Sequence, residues 1–269
     1  MFNRIIILCI AAILPSSLLA ETPKLNDYNN SFVPHLIAGG EWKSEAIITN
    51  HADTPRDVAF LAFKQDGTKW EWSLPQFSNQ TRYSGPFSAT YYLTTMAPKE
   101  TRSIKFEKNG DAEFGWAMLA SCFSVDTCGD ISGYVLLRNH NPARMQDFEL
   151  SYPFVERFSG GATMFFDQTN WSQMVLNIAN AADTVPWETD ATFDVKVFNE
   201  AGAQVFQKDV FVKKGGTVII NMAHESQALW GVRGRVDVRI KSGNTYLFLS
   251  GIRINDTGSF TPVSSMTFR

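Results

Sequence analysis

Lys69-Trp70-Glu71-Trp72 is the segment of this sequence best suited to recognition, because strand alternation would set both indoles on one face. Exposed, Trp70 and Trp72 would make a flat stacking platform for sugar rings or another protein's aromatics; buried, they would be ordinary core. Trp187, next to Pro186 in a loop, is the aromatic expected to face solvent and the third candidate binding residue. Cys122 and Cys128 are close enough for a local disulfide, and in an exported chain an even pair with this spacing fits a disulfide better than a metal or redox motif. Closing so short a loop would remove roughly 2 kcal/mol of unfolded-state entropy. Two readings stand for the stapled loop: a rigid recognition tip or a pinned hairpin.

Bond-breaking chemistry finds little support. The chain has no Gly-x-Ser-x-Gly elbow, no His-Glu-x-x-His helix, no phosphate loop and no dinucleotide fingerprint. His35, His51, His140 and His224 are scattered without ligand spacing, which points to structural roles. Asp126 with Asp130, and Asp190 with Asp194, lack the regular oxygen spacing of a calcium loop. The expectation is a protein without catalytic residues, metal or cofactor, although a carboxylate pair for glycoside hydrolysis is a matter of space and not of spacing.

Residues 1–20 have the form of a secretory signal peptide: Arg4, an apolar run from Ile5 to Leu14, then a small residue at Ala20 where cleavage is expected. Its loss removes only Arg4 among charged residues, leaving 23 basic against 27 acidic residues. That balance argues against a nucleic-acid partner, and no later apolar run is long enough to span a bilayer. The expected location is therefore secreted, periplasmic or cell-surface.

The elements that must position these residues have a period of two. Phe193, Val195 and Val197 alternate with polar neighbours, as do Val236, Val238 and Ile240, which describes strands with one buried face. Turn chemistry separates the strands at Gln65-Asp66-Gly67, Asn109-Gly110, Lys214-Gly215-Gly216 and Ser242-Gly243-Asn244. Met222 to Trp230 reads as at most a short helix or turn.

The chain also repeats itself. HLIAGGEWKSEAIITNHADT from His35 matches FFDQTNWSQMVLNIANAADT from Phe165, with Trp42 set against Trp171 at an offset of 129 and Asp53 against Asp183 at 130. These anchors imply one inserted residue between them and, for the two tryptophans, a shared buried position. Further on, Phe63 matches Phe198, Gly67 matches Gly202, and the endings LLRN and GIRIN align Arg138 with Arg253. Trp116 is expected to fill the first core. A period this long marks duplicated domains. The expected fold is all-β: two tandem antiparallel, Ig-like β-sandwiches, at 32–155 and 156–269, after a linker over 21–31.

The stretches VPHLIAGGEWKSEAIITN and FFDQTNWSQMVLNIAN resemble the openings of repeats in uncharacterised secreted proteins of environmental bacteria. The resemblance implies a tandem Ig-like sandwich and brings no catalytic residues with it; Glu41, where a glycine is expected, and the Cys122–Cys128 pair depart from it. The functional expectation is an exported, non-catalytic binding, adhesive or surface-structural module that contacts an unknown protein or glycan through its loops. The alternatives are a carbohydrate-binding or carbohydrate-acting protein using Trp70 and Trp72, or a subunit of an exported assembly joined through an edge strand.

Overall fold

The computed structural model describes residues 30–70, 81–84, 90–120, 130–141, 146–155, 158–181, 189–256 and 259–267. The signal segment, Trp72, Cys122, Cys128 and Trp187 lie outside them. The first half forms β1 (Asn30–Ala38), β2 (Trp42–Asn50), β3 (Arg56–Lys64), β4 (Thr81–Ser84), β5 (Thr90–Met96), β6 (Thr101–Phe106), β7 (Glu113–Ala120), β8 (Ile131–Asn141) and β9 (Gln146–Pro153). The second forms β10 (Gly161–Asp167), β11 (Gln173–Asn180), β12 (Ala191–Asn199), β13 (Gln204–Val212), β14 (Thr217–Asn221), β15 (Arg233–Ser242), β16 (Leu247–Ile254), β17 (Phe260–Val263) and β18 (Ser265–Thr267). Between β14 and β15 lie two single 3-10 turns, Met222–His224 and Gln227–Leu229, capped by the side chains of Asn221 and Ser226. No helix among the described residues is long and apolar enough to cross a membrane.

All strand pairing is antiparallel, in four sheets: sheet I, β1-β7-β3-β5-β4; sheet II, β6-β2-β8-β9; sheet III, β14-β11-β16-β17; and sheet IV, β13-β12-β15-β10-β18. The two halves share one strand order. The run β1-β7-β3-β5 is matched by β10-β15-β12-β13, and β6-β2-β8-β9 by β14-β11-β16-β17. Sheets I and II enclose a core with Val33, Phe60, Trp70, Ile104 and Leu137, while III and IV enclose Phe166, Leu176, Phe193, Val236 and Leu249. On β12 the buried residues are Ala191, Phe193, Val195 and Val197, the alternation read from the sequence.

Strand β1 escapes that pattern because both its faces are covered. Every residue from Phe32 to Ala38 is buried, and the register shifts between Val33 and Leu36, where Pro34 cannot donate to the ladder. Strand β3 is likewise buried on both faces from Val58 to Phe63. The cover on its second face is a third core that joins the sandwiches: Phe32, Leu61, Phe63, Trp116 and Met118 of sheet I meet Ala179, Ala181 and Phe248 on the sheet III side. Trp116 thus fills the junction and not the first core. It stacks on Phe63 at 4.4 Å, meets Phe248 edge-on at 5.2 Å, and donates from Nε1 to the Gly215 carbonyl at 2.8 Å. The layers run II, I, III, IV.

Polar groups complete the junction. Asn177 Nδ2 donates to the Pro34 carbonyl at 2.5 Å and lies 3.4 Å from His35 Nδ1, so Nδ1 accepts and Nε2 is left to donate to Ser250 Oγ at 2.9 Å. The Tyr152 ring lies 4.8 Å from the imidazole, and its hydroxyl donates to the Gly251 carbonyl at 2.9 Å.

The register corrects two of the residue matches. Asn50 and Asn180, both fully buried, end β2 and β11 and donate to carbonyls at the ends of neighbouring segments, Asn50 to Thr54 and Ala97, Asn180 to Thr189 and Val212. Their offset of 130 holds back to the preceding turns, where Trp42 N–H donates to Gly39 and Ser172 N–H to Thr169. Trp42 therefore corresponds to Ser172, and Trp171 to Glu41, with no insertion before Asp53 and Asp183. The same register sets Lys43 opposite Arg138 and Gln173 opposite Ile254, so Arg138 corresponds to Ile254 and not to Arg253. A slip of one residue reverses the face. Arg138 accordingly pairs with Glu45 and Glu149 on the outer face of sheet II, while Arg253 turns to Asp167.

Phe63 and Phe198 do correspond, and each carbonyl lies only 2.0 Å from where a Cβ on the facing glycine, Gly115 or Gly234, would stand. At Gly115 the Trp70 ring would also be met at 2.8 Å. Gly115→Ala is expected to cost about 1–3 kcal/mol, since β7 must shift against both sheet faces. A lowered urea midpoint checks this, and an unchanged midpoint would mean that β7 moves freely.

Candidate functional site

Trp70 offers no stacking face. It is only 4% exposed, its backbone N–H donates to the Ala62 carbonyl, and its ring lies over Gly115 in the first core. The cause is local: Lys69 bridges Phe63, folding the segment back onto β3 with Trp70 inward. Exposed aromatics lie elsewhere: Tyr134 on β8, Phe211 on β13, and Phe165, Trp171 and Trp230 toward one end of the second sandwich.

The turn from β10 to β11 is Thr169-Asn170-Trp171-Ser172, closed by the Ser172 N–H on the Thr169 carbonyl at 3.0 Å. Both central residues are left-handed, Asn170 at φ 51° and Trp171 at φ 59°. That matches the handedness of the tight turns that suit β-hairpins, but Asn and Gly are the usual occupants. For a bulky side chain the left-handed region costs roughly 1–2 kcal/mol. At that position Trp171 is 76% exposed, and its indole meets Trp230, 48% exposed, at 5.9 Å and 75°.

The base of this corner is firmly held. The Asp167 carboxylate accepts from the Thr169 N–H at 2.9 Å and from its hydroxyl, and Gln168 exchanges backbone hydrogen bonds with Gly231 and Val232. The Gln168 side chain is buried, with its amide nitrogen toward the Leu229 carbonyl at 3.0 Å and its oxygen toward the Ala223 N–H at 2.8 Å. It ties both 3-10 turns to the β10–β11 turn. Leu229, fully buried in the second core, anchors the backbone just before Trp230.

On the adjoining outer face of sheet IV, Phe165 is 46% exposed with the Arg233 guanidinium 5.5 Å from its ring centre, and Arg233 pairs with Glu200 at 3.4 Å. Partial burial pushes the Asp167 carboxyl up, but the Thr169 donors and the nearby arginines, Arg253 foremost, outweigh it and hold it below the usual carboxylate range. Asp167 is thus an ionised, fully engaged anchor and a poor proton donor. The Ser250–His35 contact has the residue types of a nucleophile and its base, yet both are buried in the junction, and burial lowers the His35 pKa to about 3. Among the described residues no group of three His, Cys, Asp or Glu is placed to hold a metal ion.

The arrangement can therefore bind a flat apolar surface beside a charged pair. Trp230, Phe165 and Arg233 had no sequence signal as a group, since they lie on separate elements. Trp171 was legible as an aromatic but not as an exposed one, because the match to Trp42 hid its place in the turn. The available signal was the tight turn Asn170-Trp171 without a glycine. Replacing Trp171 with glycine is expected to leave stability within about 1 kcal/mol of wild type, because relief of the left-handed strain offsets the lost ring contact and glycine's greater freedom when unfolded. Thermal melts of Trp171→Gly check this, and a large loss would show the indole to be structural.

Fold and site together define an all-β tandem sandwich with an exposed aromatic corner. No protein-family model matches the chain, and comparison with curated proteins finds no relative.

Proposed function

We propose that this chain is an exported, non-catalytic binding module, adhesive or surface-structural in role, whose contact is the Trp171–Trp230 corner. One observation carries the reading: a strained, 76% exposed Trp171 is held on a hydrogen-bonded base that would be equally well served by Asn or Gly at that position. Backbone strain of this kind persists where the surroundings overdetermine it, and it clusters at functional sites. The corner lies on connecting segments at a sandwich end, where such folds carry recognition. The carboxylates nearby, Asp167 and Glu200, are occupied by Arg253 and Arg233, which supports binding over proton transfer. The shared strand order of the halves favours an internally duplicated, Ig-like pair, and the leader-like first 20 residues support export.

The test is capture from extracellular and cell-surface fractions by the immobilised mature chain, repeated with Trp171→Ala/Trp230→Ala. The double variant is expected to retain the fold, by circular dichroism, and to lose the specific capture. Equal capture by both proteins would remove the corner from the site.

A further inference from the structure

We infer that the Trp171–Trp230 corner binds the flat apolar face of a sugar ring within a glycan chain, an inference that rests on the binding reading above. Three features of the corner favour a sugar over a protein or a membrane. The first is area. A wholly buried aromatic contributes roughly 150–250 Å², so the partly exposed Trp171, Trp230 and Phe165 offer at most a few hundred Å² of aromatic surface, a small apolar centre for a protein interface of ~800 Å² per partner. A second copy of the chain would meet the same limit.

The second is shape. The indoles stand at 75° to one another, so a ligand lying flat on Trp171 meets Trp230 as a wall beside it. A pyranose has the matching form, with apolar C–H bonds on its face and hydroxyls around its edge. The third is charge. Arg233 and Glu200, paired at 3.4 Å on adjoining elements, supply guanidinium donors and carboxylate acceptors next to the aromatic surface. A membrane-inserting tip would favour a basic rim without the carboxylate. Rigidity adds to all three, because little ordering is required when ligand arrives at a turn already held by Asp167 and Gln168.

Calorimetric titration of the mature chain with cellohexaose, xylohexaose, chitohexaose and maltohexaose tests the inference, alongside sedimentation with phosphatidylglycerol vesicles. At least one saccharide is expected to bind saturably, with affinity falling at least tenfold in Trp171→Ala and in Trp230→Ala, and unchanged in Trp42→Phe, which lies away from the corner. Trp171→Gly, with the turn strain relieved, should lose binding to the same degree while its melting temperature reports an intact fold. No saturable binding of any saccharide up to about 10 mM, the weak limit of a useful lectin-like contact, overturns the inference. So does binding that Trp171→Ala leaves intact. Trp171-dependent sedimentation with vesicles and no saccharide binding would overturn the sugar while the binding reading stands; if the capture experiment also shows no dependence on Trp171, both fall.

Discussion

Trp116→Ala is expected to cost about 3–5 kcal/mol and to split thermal unfolding into two transitions. The magnitude follows from deleting a large aromatic from a site that cannot collapse around the hole. Trp116 is 1% exposed and contacts the rings of Phe63, Phe32 and Phe248, drawn from both sandwiches. Its loss also leaves the buried Gly215 carbonyl without the indole donor. Each sandwich keeps its own core, Phe60 and Ile104 in one, Phe193 and Val236 in the other, so each should still melt cooperatively. What disappears is the coupling. Calorimetry of the variant checks this: a single transition shifted down by only a degree or two would mean that the junction contributes little. Trp116→Phe, which keeps ring contacts but not the Gly215 bond, should fall between the two.

Acid should loosen the same junction through His35. Burial lowers its pKa from 6.5 to about 3, so between those values the unfolded chain takes up a proton that the folded chain does not. The stability contributed by neutral His35 is complete above about pH 6.5 and is lost as pH falls toward 3, at about 1.4 kcal/mol per pH unit. The total is on the order of 5 kcal/mol. Protonation would give Nδ1 a hydrogen facing the Asn177 amide, which has only donors on that side, and would place a cation against the Tyr152 ring with no carboxylate among the groups that bond the imidazole. Burial also raises the Tyr152 hydroxyl, which stays protonated throughout this range. Comparing urea midpoints of wild type and His35→Gln between pH 6.5 and 5, above the carboxylate range, isolates the effect. Wild type is expected to lose about 2 kcal/mol that the variant does not, and parallel profiles would exclude His35 as the cause.

Equivalent positions of the two halves carry different chemistry on sheets I and IV. Leu61, Phe63, Trp116 and Met118 on sheet I correspond to Lys196, Phe198, Arg235 and Asp237 on sheet IV, by the registers Leu61–Met118 and Lys196–Asp237. The first set is apolar and buried against sheet III. The second is charged, with Arg235 over the Phe198 ring at 4.5 Å and ion-paired to Asp237 at 3.2 Å. An apolar sheet docking there would have to strip water from these charges, which sets this face apart from the apolar junction face of sheet I.

The all-β class, the alternating strands such as β12 and the glycine turns were legible in the chain alone, because each depends on neighbours within a few residues. The match of Phe63 with Phe198 holds for the same reason, and Asp183 lies outside the described residues. Where the sequence reading slipped, it did so by one residue, at Trp42 and at Arg138, and in a strand one residue is the difference between two faces. Strand β1 is not legible in the sequence: it is covered on both sides and carries Pro34, so it shows no alternation. Tertiary structure alone decided that Trp70 is core, that Trp116 belongs to a junction, and that Trp171 meets Trp230 from 59 residues away in open solvent. Burial is a property of what covers a residue, and no local pattern states which sheet will lie over which.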